Sequence, residues 1–215
     1  MKKIGITLIL ASAVLPALAA QDDRPVLYYA KLQLPSSASV TASGAPNYGP
    51  YEKECSKKPG SGNAEKATGE ASFKYYPKSR KLEYVISYSG LSGEAMMAHF
   101  HYVPTSGPIV QTICGKPPKN SASLGYSAPP LNGEFCNHEE HNANHGVIKG
   151  VYELKGNKLY PPPATPPNPP LPPIATGADE ATLLANGGLY LNFHTCLNMG
   201  GEISGTITPG SPPKN

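Results

Sequence analysis

Two histidines, His99 and His101, stand two residues apart in the stretch AHFHYVP. The stretch has the alternation of a β-strand, whose side chains i and i+2 share one face, about 6–7 Å apart. Two imidazoles so placed can each reach one ion at about 2 Å. Ala98 and Phe100 take the opposite face and are expected in the core, which leaves the histidine face for loops to cover. The stretch GGLYLNFHTC supplies a third imidazole. There Leu189, Leu191 and Phe193 alternate with Tyr190, Asn192 and His194, so His194 also turns away from the core. Three neutral imidazoles suit copper or zinc. The alternative is a set of exposed polar side chains.

A second cluster lies in CNHEEHNANH, where His138, His141 and His145 fall within eight residues beside Glu134, Glu139 and Glu140. Zinc or copper is its natural guest. A solvated polar loop is the equal alternative, because loop ligands lose conformational freedom on binding. Met96, Met97 and Met199 offer thioethers to cuprous copper. Met97 shares the histidine face and is the best of the three as a soft ligand, whereas Met96 is expected in the core. The four cysteines, Cys55, Cys114, Cys136 and Cys196, form an even set with no Cys-x-x-Cys pair. In an oxidising compartment they are disulfide candidates, with three pairings open. Cys196, two residues beyond His194, is read as a disulfide partner before a ligand.

The elements that must position these groups are mostly strands. PVLYYAKLQL places Val26, Tyr28, Ala30, Leu32 and Leu34 on one face. ASFKYYP carries Phe73 and Tyr75, and in KLEYVISYSG Leu82, Tyr84, Ile86 and Tyr88 alternate with Lys81, Glu83 and Ser87, the two strands being separated by PKSR as a hairpin turn. EAMMAHFHYV, GPIVQTICG, GVIKGVYEL, GGLYLNFHT and GGEISGTIT complete about eight strands. ADEATLLAN reads as one short helix stopped by Gly187 and Gly188. Residues 116–145 read as a loop, and the histidine-rich stretch at its end spans 134–146. PPPATPPNPPLPP at 161–173 excludes helix and central strand and is expected as a stiff extended spacer. A polyproline-binding protein partner is its alternative. The tail from Pro209 to residue 215 is expected to be disordered.

The first twenty residues carry Lys2 and Lys3, an apolar run from Ile4 to Leu15, and Ala17-Leu18-Ala19. This is the pattern of a cleaved secretory leader. The expected destination is the periplasm or the exterior, with residues 21–208 as one domain. No later stretch is long and apolar enough to span a membrane. Of 18 Lys+Arg, removal of Lys2 and Lys3 leaves 16 against 15 Asp+Glu. That balance gives no electrostatic case for nucleic acid. With 22 Gly, 25 Pro and no Trp, short strands and many loops are favoured over helices.

Three segments together resemble the CHRD domain, named after chordin. They are GEASFKYYPKSRKLEYVISYSGLSGEAMMAHFHYVP, GPIVQTICG and GGLYLNFHTCLNMGGEISGTI. The marks are Tyr-Ser-Gly-Leu-Ser-Gly at 88–93, Ala-His-x-His at 98–101, and Leu-Tyr-x-Asn-x-His followed by Gly-Gly-Glu-Ile-x-Gly at 189–205. That family is in turn similar in pattern to copper–zinc superoxide dismutase. The similarity implies an all-β, Greek-key, immunoglobulin-like antiparallel sandwich or barrel with long loops. It makes His99, His101 and His194 copper ligands and places His138, His141 and His145 near a zinc loop. The dismutase also sets an arginine beside its copper, and here only Arg24 and Arg80 exist, neither in the matching segment.

The resulting expectation is an exported protein that binds copper or zinc, for metal handling or protection against oxidative stress. No catalytic residue is assigned. A metal-free extracytoplasmic binding module and a dismutase-like redox enzyme are the two alternatives.

Overall fold

The computed structural model describes residues 23–34, 55, 64–102, 109–115, 130–133, 136, 144–156 and 179–213. The expected leader, His138, His141 and the proline-rich segment lie outside the described residues. Among the described residues nine strands form two antiparallel sheets. They are β1 (Val26–Leu32), β2 (Thr68–Tyr76), β3 (Lys81–Ser89), β4 (Met97–Tyr102), β5 (Ile109–Gly115), β6 (Gly146–Glu153), β7 (Leu189–His194), β8 (Ile203–Thr206) and β9 (Thr208–Pro209). One sheet runs β6-β3-β2-β1-β9 and the other β5-β4-β7-β8. This is the expected all-β sandwich.

Strict alternation builds the first sheet. β2 and β3 bury every second side chain, and their register sets Phe73 opposite Tyr84 and Tyr75 opposite Leu82. Tyr28, Ala30 and Leu32 of β1 join them, whereas Val26, at the strand's open end, is 42% exposed rather than core. The second sheet faces this layer with Ala98, Phe100 and Tyr102 of β4 and Leu189, Leu191 and Phe193 of β7. Phe100 is the central contact between the layers. Its ring lies 6.2 Å from Phe73, 5.8 Å edge-on from Tyr84, and 5.9 Å from Tyr152 in a stacked pair.

The sheets are joined at both sides. Beyond β1, Gln33 and Ser204 exchange backbone hydrogen bonds of 3.0 and 2.9 Å, so β1 reaches both layers. The crossing requires Gly205, since a Cβ there would meet the Lys31 carbonyl oxygen at 2.2 Å. On the other side, residues 130–133 pair with β5 through Leu131 and Asn132 N–H groups. Asn132 Nδ2 also donates to the Lys149 carbonyl of β6 (2.7 Å), and its Oδ1 accepts from the Tyr84 hydroxyl (2.5 Å). Gly150 makes room for that hydroxyl, which would lie 2.3 Å from an added Cβ. Part of the expected 116–145 loop therefore completes a sheet edge.

The short helix α1 (Glu180–Ala185) follows Asp179, whose Oδ1 accepts from Ala181 N–H (2.9 Å). Arg80 closes the β2–β3 turn in the left-handed region (φ 56°), where a non-glycine residue is strained. Its guanidinium donates twice to Asp179, at 2.5 and 3.0 Å, and its Nε donates to the Leu154 carbonyl (2.9 Å). The chain also stays paired past the expected start of the tail. Pro209 faces Tyr28, and Gly210 N–H donates to Leu27 (3.0 Å).

Truncating Phe100 removes a ring that touches three strands of the facing sheet. Phe100→Ala is expected to cost about 3–5 kcal/mol in denaturant unfolding. A loss below about 1 kcal/mol would remove Phe100 from the centre of the packing.

Candidate metal centre

β4 pairs with β7 in unbroken register: Met97 faces His194, His99 faces Asn192, and His101 faces Tyr190. Because Phe100 and Leu191 point into the core, these six side chains share the outer face of the second sheet. His194 then lies diagonal to His99, close enough for long side chains to meet. On its other side β4 pairs with β5 through two register shifts, one at Ala98/His99 and one at Phe100/His101. Such bulges add local twist and re-aim side chains beside a site.

The three predicted histidines converge. Their ligand-capable atoms lie within 4.8 Å of one another. His99 Nδ1 is 3.0 Å from His194 Nε2, so the set brackets the roughly 3.5 Å separation that metal–nitrogen bonds of about 2.0 Å require. All three are buried, at 3%, 7% and 7% exposure for His99, His101 and His194. An exposed polar face is thereby ruled out. Tyr190 stacks on His101, with ring centroids 4.9 Å apart and planes 15° from parallel.

Hydrogen bonding fixes the state of His194. Its Nδ1 lies 2.8 Å from the Met199 carbonyl, which can only accept, so Nδ1 carries the proton. Nε2 then presents a lone pair toward His99 and lies 3.1 Å from Asn192 Oδ1, a second acceptor. A ligating histidine is commonly held by a backbone carbonyl on its other nitrogen in this manner. The donor set fits a transition-metal ion.

The segment that carries Met199 is itself held by a buried carboxylate. Glu202 Oε1 accepts from Ser92 N–H (2.6 Å). Its Oε2 accepts from the hydroxyls of Ser92 and Thr195 and from Asn198 Nδ2, the last two at 2.5 and 2.8 Å. These contacts join the turn after β3 to the 195–201 connection. In the sequence Glu202 and Ser92 stand only as marks of the family resemblance, with no role of their own. Their signal is a lone carboxylate set between paired glycines and an apolar strand.

The cysteines pair as Cys55–Cys196 and Cys114–Cys136. Cys55, Met97 and Cys196 form a second buried cluster, against which Met96 and Met199 pack. Met97 is thus on the histidine face as expected. Met96 is not in the main core, because it precedes β4 and packs on this outer cluster. His145 stands apart, exposed at the start of β6, with its Nδ1 3.3 Å from Asn144 Oδ1. Among the described residues His99, His101 and His194 form the one metal-competent group. Neither arginine is part of it.

Fold and site together define an antiparallel β-sandwich with a buried histidine cluster on the outer face of one sheet. The CHRD domain family profile matches residues 53–207, and the chain belongs to that family. No curated protein and no solved structure matches the chain. The family marks read in the sequence meet in space, since Ser92 of the Tyr-Ser-Gly-Leu-Ser-Gly turn donates to Glu202 of the Gly-Gly-Glu-Ile segment.

Burial governs protonation here. It holds His99 well below the usual histidine range, helped by the neighbouring His194 and His101. It lowers His194 to about 4, partly opposed by the Met199 carbonyl. Both rings hold a proton less readily folded than unfolded, so the unfolded chain binds more protons below about pH 6.5. Stability of the metal-free protein should therefore fall as pH drops from about 6.5 toward 4, by on the order of 3 kcal/mol for His194 alone. Urea midpoints across that range test this. His194→Gln should flatten the slope, and an unchanged slope would contradict the assignment.

Proposed function

We propose that this protein binds one transition-metal ion, copper or zinc, through His99, His101 and His194, outside the cytoplasm. The observation that carries the reading is the convergence of three buried imidazoles, with the Nε2 of His194 left bare by the Met199 carbonyl. Burial supports it further, because rings that resist protonation stay competent as ligands in mildly acidic surroundings. The two disulfides suit an oxidising compartment, the periplasm or the exterior. The role is metal handling, with protection from metal-driven oxidation as its consequence. A dismutase-like activity would also need a cation to guide a small anion. The Arg80 guanidinium is committed to Asp179.

A second reading, the metal-free binding module, has one observation behind it. The 3.0 Å contact between His99 Nδ1 and His194 Nε2 also closes as a hydrogen bond between neutral rings. The histidines would then be a polar cluster that fixes the strand pair.

Elemental analysis of exported protein, loaded with copper or zinc and then dialysed, separates the two. About one equivalent is expected on the wild-type protein, with at least a tenfold loss of affinity in His99→Ala/His101→Ala and in His194→Ala. Equal metal in wild type and variants would place the ion away from these three histidines, and none in any would leave the metal-free module as the reading.

A further inference from the structure

The outer face of the second sheet holds more than imidazoles. Met97 stands directly opposite His194 in the β4–β7 register and is 5% exposed. Met199 supplies the carbonyl that holds His194 Nδ1, and Met96 N–H donates to the His194 carbonyl (2.8 Å). The side chains of all three methionines pack into one cluster about the Cys55–Cys196 disulfide. Met96 and Met199 are half-buried, whereas Met97 and the histidines are buried. Thioether side chains thus run from the half-buried margin of this cluster to the strand position paired with His194.

Charge points the same way. Three imidazoles bring no negative charge, and among the described residues no carboxylate joins the group. Cys196 lies nearby in sequence but is committed to its disulfide and offers no thiolate. The cost of holding an ion in a buried setting grows with the square of its charge when nothing compensates it. A monovalent ion is the cheaper guest. Soft thioethers and imidazoles together select cuprous copper among biological metals.

We infer that Met97, with Met96 and Met199 on its open side, forms a thioether flank that makes the histidine site selective for cuprous copper over zinc. Copper(I) arrives over Met96 and Met199, and Met97 joins the histidines in holding it. No electron transfer is involved. The inference rests on the histidine reading above and adds the ion's identity and its route.

The test uses oxidised, exported protein. Cuprous copper is kept reduced with ascorbate, which leaves the disulfides intact, and is titrated against a coloured cuprous chelator. Zinc is titrated separately. Wild type is compared with Met96→Leu/Met97→Leu/Met199→Leu and with His99→Ala/His194→Ala. Leucine conserves side-chain volume, so the fold should persist, as circular dichroism checks. The triple leucine variant is expected to lose about 10–100-fold in copper(I) affinity with zinc affinity unchanged. X-ray absorption of the copper(I)-loaded wild type should show a sulfur neighbour at about 2.3 Å. Equal copper(I) affinity in wild type and the leucine variant, with loss only in the histidine variant, overturns the thioether flank and leaves the histidine site standing. Metal retained equally by the histidine variant overturns both. If the triple variant does not fold, the wild-type spectrum decides, and absence of sulfur overturns the inference.

Discussion

The Phe100 ring meets Phe73, Tyr84 and Tyr152 of the facing sheet, and that contact fixes which way β4 faces. A strand has only two faces, and a one-residue slip would exchange them. With Phe100 held inside, His99 and His101 must stand together on the other side. The unbroken β4–β7 register then carries the same constraint across to His194. The geometry of the histidine cluster is therefore set by apolar packing on the opposite face of the same strands. The imidazoles need supply none of the folding free energy that brings them together.

Polar structure completes what packing begins. Glu202 gathers Ser92, Thr195 and Asn198 in a buried network, and so shapes the connection whose Met199 carbonyl holds His194. The Cys55–Cys196 disulfide ties residue 55 to the same connection. The charged group thus acts at one remove from the cluster, whereas the cluster itself contains neutral rings and neighbouring sulfur. That division keeps charge away from the imidazoles in their buried setting.

The strands were legible because their period is two, and β2 and β3 alternate without a break. The pairing of His99 with His101 followed from the same period, and the outward turn of His194 from the alternation of Leu189, Leu191 and Phe193. Burial of the histidines was not legible, because it depends on what covers the face from elsewhere in the chain. Nor was the disulfide pairing, which depends on where residues 55 and 136 return to the sandwich. Met96 was misplaced because it lies just before β4, where strand alternation does not yet apply. The Glu202 network escaped notice since its members come from turns about a hundred residues apart.

Nitrogen NMR of the histidine rings, before and after addition of a diamagnetic ion, tests the central claim most directly. Cuprous copper and zinc both serve. The account predicts that metal-free His194 is protonated on Nδ1 and bare on Nε2. On loading, the Nε2 of His194 and the Nδ1 of His99 should shift together with one nitrogen of His101, at about one equivalent of metal. Three ring signals that stay in place when metal is added, or that move at different stoichiometries, would contradict a single site on this face.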